Sequence, residues 1–172
     1  MKKAENIFLI GLMGSGKTTI GKLLSKNLGK EFYDSDHVVE EKTGVKVPLI
    51  FEYEGEVGFR KREESVLQEL VRHKSIVLAT GGGIILSQNN CKLLKDNGHV
   101  IYLKSTCEDL VARMSEDKSR PLLQGVELRE TLENLFSFRD PIYSSTSDYI
   151  VETSNKRINQ ITSEIESFIK IL

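Results

Sequence analysis

Residues 11–18 read Gly-Leu-Met-Gly-Ser-Gly-Lys-Thr and satisfy the spacing G-x-x-x-x-G-K-[ST] in full. Each residue type answers a chemical need. Gly11, Gly14 and Gly16 let the backbone turn tightly and approach a phosphate where a Cβ would collide. The N–H groups freed by that turn, with the start of the helix that follows, form a nest for an anion. Lys17 brings a positive charge to the β- and γ-phosphates, and the Thr18 hydroxyl can ligate Mg²⁺. The flanks agree: Ile7-Phe8-Leu9-Ile10 enters the loop as a buried strand would, and Ile20, Leu23, Leu24 and Leu28 leave it at helical spacing. A nucleoside triphosphate is the expected ligand.

Such a loop needs an acid for its Mg²⁺, usually an Asp at the end of an apolar strand. The runs at residues 75–79 and 100–103 end in Thr80 and Lys104. Asp34 and Glu152 do end strands, and Asp34 is the better placed, with Asp36 two residues on. The pair could divide its work, one carboxylate toward metal and one toward an acceptor hydroxyl, although Asp36 could equally be the N-cap of a following helix. An Asn-Lys-x-Asp element for guanine is absent, which disfavours a GTP switch. Gly81-Gly82-Gly83 follows a buried strand directly, where three glycines imply a close approach of backbone to something. Arg60 lies in a charged helical start, Arg120-Pro121-Leu122-Leu123 in a polar loop, and Arg139-Asp140-Pro141-Ile142-Tyr143 at a helix break.

The elements that must position these residues can be read in order. Residues 31–34 form a second short strand, followed by helices over residues 37–43 and 56–72, the latter carrying Phe59, Val66, Leu67, Leu70 and Val71. Residues 47–53 are apolar and short, with Pro48 a possible helix start. Strands are expected at 75–79, 100–103 and 149–152. Ser87 and Thr106 are N-caps, residues 115–125 a surface loop, residues 127–143 a helix disturbed by Pro141, and Ile158, Ile161, Ile165, Phe168 and Ile169 one face of a last helix. Five strand-like runs alternating with helices predict an α/β fold: a parallel sheet covered on both faces, with ligands at the carboxyl ends of its strands.

Bulk properties suit one domain. The chain has 172 residues, 39% hydrophobic and 28% charged, with a net charge of -1, so no general attraction to nucleic acid or an anionic membrane is expected. Cys91 and Cys107 fit no metal spacing and no disulfide framework, and no apolar stretch approaches membrane-spanning length. The expectation is a cytoplasmic monomer. His37, His73 and His99 have no evident partners in the sequence.

Taken in order along the chain, the P-loop with Thr19-Ile20-Gly21, Asp34-x-Asp36, Gly55-Glu56 with Phe59-Arg60, the triple glycine, Arg120-Pro-Leu-Leu and Arg139-Asp-Pro-x-Tyr143 resemble shikimate kinase. The resemblance implies a nucleoside monophosphate kinase-like fold with a five-stranded parallel core, an acceptor-binding segment at about residues 34–62 and a mobile lid at about 113–125. It implies ATP and Mg²⁺ as co-substrate and metal, and phosphoryl transfer to the 3-hydroxyl of shikimate. Carried over residue by residue, Gly14, Ser15, Gly16, Lys17, Thr18 and Thr19 hold the phosphates, with Thr18 and Asp34 at the metal. Asp36 meets the acceptor hydroxyls and is the candidate base, Arg60 and Arg139 grip a carboxylate, and Gly81, Gly82 and Gly83 offer backbone donors. Arg120 reaches the phosphates from the lid, and Arg113 lies against adenine. Lys156 stands where the family often has Arg, and Ile158 where it often has Pro. A related kinase acting on gluconate or a nucleotide, and a nucleotide-binding regulatory module without transfer, are the alternatives.

Overall fold

The computed structural model describes residues 5–116 and 126–172. In chain order its strands are β1 (Ile7–Ile10), β2 (Glu31–Asp34), β3 (Ile76–Ala79), β4 (His99–Lys104) and β5 (Tyr149–Glu152). Its helices are α1 (Lys17–Leu28), α2 (Ser35–Thr43), α3 (Val47–Leu70), α4 (Gln88–Asn97), α5 (Cys107–Glu116), α6 (Val126–Thr146) and α7 (Ile158–Ile171). The strands form one parallel sheet in the order β2-β3-β1-β4-β5. β1 is therefore central, and the two acid-ending strands, β2 and β5, are the opposite edges.

β1, β3 and the inner part of β4 are buried on both faces because these stretches are apolar without interruption, whereas the edge strands β2 and β5 are partly exposed. Side chains alternate between the faces. Ile7 and Leu9 pack with Leu24, Ile161 and Ile165 beneath α1 and α7. Phe8 and Ile10 pack with Leu67, Leu94, Leu128 and Tyr143 on the other side. Each cluster is closed by helices whose apolar residues recur at helical spacing.

Several boundaries differ from the sequence expectation for local reasons. α2 begins at Ser35 rather than residue 37, because Asp34 caps it, accepting from the amides of Asp36 (3.0 Å) and His37 (3.2 Å). Asp36 is thus a first-turn residue and not the N-cap. Residues 47–53 are helical and continuous with the next segment: α3 runs from Val47 to Leu70, Pro48 sits in its first turn, and Gly55 (φ 69°, ψ −177°) breaks it midway. α6 continues through Pro141 to Thr146; the ring removes one backbone donor at an exposed position, where water can replace the lost bond. Ser87 and Thr106 cap as expected, accepting from Asn90 N and Asp109 N. Most of the anticipated lid, including Arg120, lies outside the described residues. His37 pairs with Glu41 at 3.2 Å, and the His73 ring lies 5.2 Å from that of Tyr33.

The rim of the sheet opposite the loops is latched by Asn6, which is fully buried. Its Nδ2 donates to the carbonyls of His73 (2.8 Å) and Asn97 (3.3 Å), and its Oδ1 accepts from Ile76 N (3.2 Å). One side chain thus satisfies backbone groups that precede β3 and β4. Asn6→Ala leaves them buried without partners and should cost about 1–3 kcal/mol of stability. Urea unfolding would measure this; an unchanged midpoint would contradict it.

Candidate active site

The site is built from the loops at the carboxyl ends of β1, β2 and β3. Between β1 and α1, Gly14 (φ 80°) and Gly16 (φ 93°, ψ 15°) adopt left-handed conformations. Gly16 is the N-cap of α1, so the amides of the first turn point into open space. The Lys17 side chain is only 9% exposed and curls back over the loop. Its Nζ donates to the carbonyls of Gly11 (2.7 Å) and Leu12 (2.9 Å). A full positive charge is thereby held at the mouth of a ring of amides.

Asp34 divides its two oxygens. Oδ1 caps α2, and Oδ2 accepts from the Thr18 hydroxyl at 2.8 Å. The residue is fixed by its own helix start while one oxygen remains turned toward the first turn of α1. A cavity of about 580 Å³ opens over these groups, lined by Gly14, Lys17, Thr18, Asp34, Asp36 and Gly82 among others. Thr19 and Arg113 also border it. Arg113 reaches from α5 to donate to the Gly14 carbonyl at 3.0 Å.

Two of the three glycines after β3, Gly81 and Gly83, are required by what surrounds them. A Cβ at Gly81 would stand 2.8 Å from Asp36 Oδ1 and 2.8 Å from Glu63 Oε2. At Gly83 it would overlap the Arg60 guanidinium, and at Gly82 it would lie 3.6 Å from Arg139 Nη1. Four charged side chains from α2, α3 and α6 therefore converge on a stretch of bare backbone. Gly81 N donates to Ser35 Oγ (2.9 Å), and the Tyr143 hydroxyl donates to the Gly82 carbonyl, fixing the stretch at both ends.

Glu63 is the member that the sequence reading did not single out. It is 1% exposed, and its Oε1 accepts from Arg60 Nη1 at 2.8 Å, while Oε2 has no hydrogen-bond partner among the described residues. Burial pushes its carboxyl above the usual range, the Arg60 guanidinium opposes that, and the Asp36 carboxylate adds to it. The signal was present in the helix period: Glu63 follows Phe59 by four and precedes Val66 by three, so it falls on the buried stripe of α3. Arg60 also touches Glu56, with Nε and Nη2 3.4 Å from Oε1, and lies over the Phe59 ring.

Arg139 belongs to the same assembly, with its Nε buried. Tyr143, one turn later on α6, is fully buried and stacks on Tyr102 with centroids 4.9 Å apart. Burial pushes its hydroxyl up to about 12, against the pull of Arg139. Tyr102 donates to Asp140 (2.8 Å), which also pairs with Lys104 (3.3 Å). These contacts anchor α6 to β4 and so fix where Arg139 stands. Lys156 pairs with Glu164 at 2.6 Å, and Ile158 is the first residue of α7.

The arrangement thus sets the glycine loop and Lys17 beside two carboxylates and two guanidinium groups gathered on Gly81–Gly83. The family model for shikimate kinase matches residues 13–170. Shikimate kinase of Thiobacillus denitrificans is 51% identical over 162 residues, covering 94% of this chain and 88% of that protein. The structure of shikimate kinase from Acinetobacter baumannii in complex with shikimate superposes with a TM-score of 0.91 at 46% identity, covering 98% of this chain and 94% of that one. A gluconokinase from Sinorhizobium meliloti is similar in fold alone, at 13% identity and a TM-score of 0.65. With the expected motifs in place along a chain matched almost end to end, the protein belongs to the shikimate kinase family.

Proposed function

We propose that the chain transfers the γ-phosphoryl group of ATP to the 3-hydroxyl of shikimate by in-line displacement, with the residues described above in the following roles. The observation that carries the assignment is the convergence of Asp36, Arg60, Glu63 and Arg139 on Gly81–Gly83, beside a complete P-loop. Amides of residues 14–19 and the N-terminus of α1 hold the β- and γ-phosphates. Lys17 exchanges its loop carbonyls for phosphate oxygens and offsets the charge that spreads over the transferring group. Arg120 adds a second cation from the lid, and Arg113 packs beside the base.

Shikimate offers one carboxylate and several hydroxyls. Arg60 and Arg139 suit the carboxylate because a planar guanidinium makes paired charge-assisted bonds. Glu63 fixes the Arg60 fork before the acceptor arrives, which limits the ordering entropy lost on binding. Asp36 accepts the hydrogen bond of the attacking hydroxyl and takes its proton as the new O–P bond forms and the bond to the β–γ bridging oxygen breaks, releasing ADP. Most of the acceleration comes from positioning and charge.

Thr18 Oγ1 and Asp34 Oδ2 fit Mg²⁺: they are adjacent hard oxygen donors at the phosphate end of the cavity. Among the described residues no cluster of three acidic, His or Cys side chains could enclose a metal, consistent with an ion that takes its remaining ligands from phosphates and water. Bound there, Mg²⁺ would neutralise phosphate charge during transfer.

No described helix is long and apolar enough to cross a membrane, and neither cysteine is in a disulfide, which supports a cytoplasmic setting. A regulatory module would have no use for a second, acceptor-shaped pocket.

The direct test is ADP release with and without shikimate: release should depend on shikimate, and gluconate should not replace it. Lys17→Ala should reduce turnover at least about 100-fold while the circular dichroism spectrum is retained; turnover close to the parent's would remove Lys17 from the reaction. Arg60→Ala and Arg139→Ala should each raise the shikimate KM about ten-fold or more, the value of a lost charge-assisted bond, with little change in the KM for ATP. Unchanged shikimate KM in both would separate them from the acceptor. Chelation should stop turnover and added Mg²⁺ restore it, and Thr18→Ala should raise the Mg²⁺ concentration needed for half-maximal rate at least about ten-fold.

A further inference from the structure

We infer that the Tyr143 hydroxyl is a positioning group for phosphoryl transfer: by holding the Gly82 carbonyl it sets the spacing between the P-loop and Arg139, and with it the alignment of acceptor and nucleotide. That role rests on Arg139 being a clamp for the acceptor carboxylate, as proposed above.

Of the three glycines, Gly82 is the one that faces both halves of the site. A Cβ built there would lie 3.5 Å from Met13 N and 3.6 Å from Gly11 O, both on the P-loop, and 3.6 Å from Arg139 Nη1. Built on Gly81 it would meet Asp36 and Glu63, and on Gly83 it would meet Arg60, with no P-loop atom among its nearest neighbours. Met13 and Gly82 also border the cavity over Lys17. A shift of the Gly82 peptide therefore changes the space between the loop and the guanidinium.

The neighbouring peptides are held locally. Ile84 N donates to the Gly81 carbonyl and Leu86 N to the Gly83 carbonyl, each at 3.1 Å, where the chain turns through Ile84–Leu86. The Gly82 carbonyl instead takes its hydrogen bond from a side chain 61 residues away. Tyr143 stands four residues beyond Arg139 on α6, so one helix face presents the guanidinium and the hydroxyl to the same peptide. Its ring is fully buried and stacks on Tyr102, a task that phenylalanine would perform equally. A hydroxyl removed from water costs free energy unless it is bonded, so the bond to Gly82 is what calls for tyrosine at this position. Burial raises the pKa of that hydroxyl to about 12 against the opposing charge of Arg139, so at neutral pH the group remains a donor.

Tyr143→Phe keeps the ring and removes the donor. Its kcat/KM for shikimate should fall about ten-fold or more, the consequence of a misplaced acceptor, while the KM for ATP stays within about two-fold of the parent's and the circular dichroism spectrum is retained. Tyr143→4-aminophenylalanine, which returns an N–H donor to the same place on the ring, should recover most of the loss. Tyr143→4-fluorophenylalanine, similar in shape but unable to donate, should not. In an Arg139→Ala background, Tyr143→Phe should cost less than about three-fold, since the group it aligns is gone. Gly82→Ala puts a methyl group at ordinary contact distances from its neighbours; it should fold, lower kcat/KM for shikimate in the same way, and carry the test if Tyr143→Phe does not fold. Unchanged kcat/KM in Tyr143→Phe or in Gly82→Ala, an equal rise in the KM for ATP, recovery with the fluorinated ring, or full additivity with Arg139→Ala would each overturn the positioning role. If Arg139→Ala leaves the shikimate kinetics unchanged, the acceptor reading fails and this role with it; if Arg139→Ala is impaired and Tyr143→Phe is not, the positioning role falls alone.

Discussion

The packing of charged groups against bare backbone at Gly81–Gly83 is the constraint on which the rest of the site depends. Two carboxylates and two guanidinium groups approach a stretch of three residues closely enough that a methyl group at Gly81 or Gly83 could not be placed without displacing one of them. Charges brought this close are tolerable only when they alternate and are tied by hydrogen bonds, since each loses solvation on burial. Glu63 and Arg60 meet that condition through their 2.8 Å contact. Asp36 approaches the same backbone at Gly81 and Arg139 at Gly82.

The fold supplies that convergence by placing four elements at one end of the sheet. β3 delivers the glycines next to the central strand, α2 starts immediately beyond β2, and α3 and α6 pass alongside. Their positions are fixed by contacts outside the chemistry. Tyr102, Asp140 and Lys104 hold α6 on β4, and Tyr143 fastens it to Gly82. Asn6 performs the comparable task at the opposite rim. The protein thus spends buried polar groups where backbone would otherwise go unsatisfied, as close-packed interiors require.

The P-loop half follows a different logic. Its amides and helix start, the groups that suit an anion, are both products of local backbone conformation. Lys17 bonded to loop carbonyls and Thr18 bonded to Asp34 show how such a loop satisfies its own polar groups. Both bonds use atoms that phosphate and Mg²⁺ would otherwise claim.

What the sequence by itself determined was whatever depends on neighbours along the chain. The P-loop, the buried strands, the Ser87 and Thr106 caps and the α/β alternation are set by residues within a few positions of one another, where spacing and residue type suffice. The family pattern added Asp36, Arg60 and Arg139 as members of one pocket, and the structure brings them together. Only the tertiary structure decided that Asp34 rather than Asp36 caps α2, that α3 bends at Gly55 yet continues, that Glu63 holds Arg60, and that Lys156 pairs with Glu164. In the three side-chain cases the partner lies at most eight residues away along the chain, and what spacing alone does not fix is which of several near groups burial and packing leave within reach.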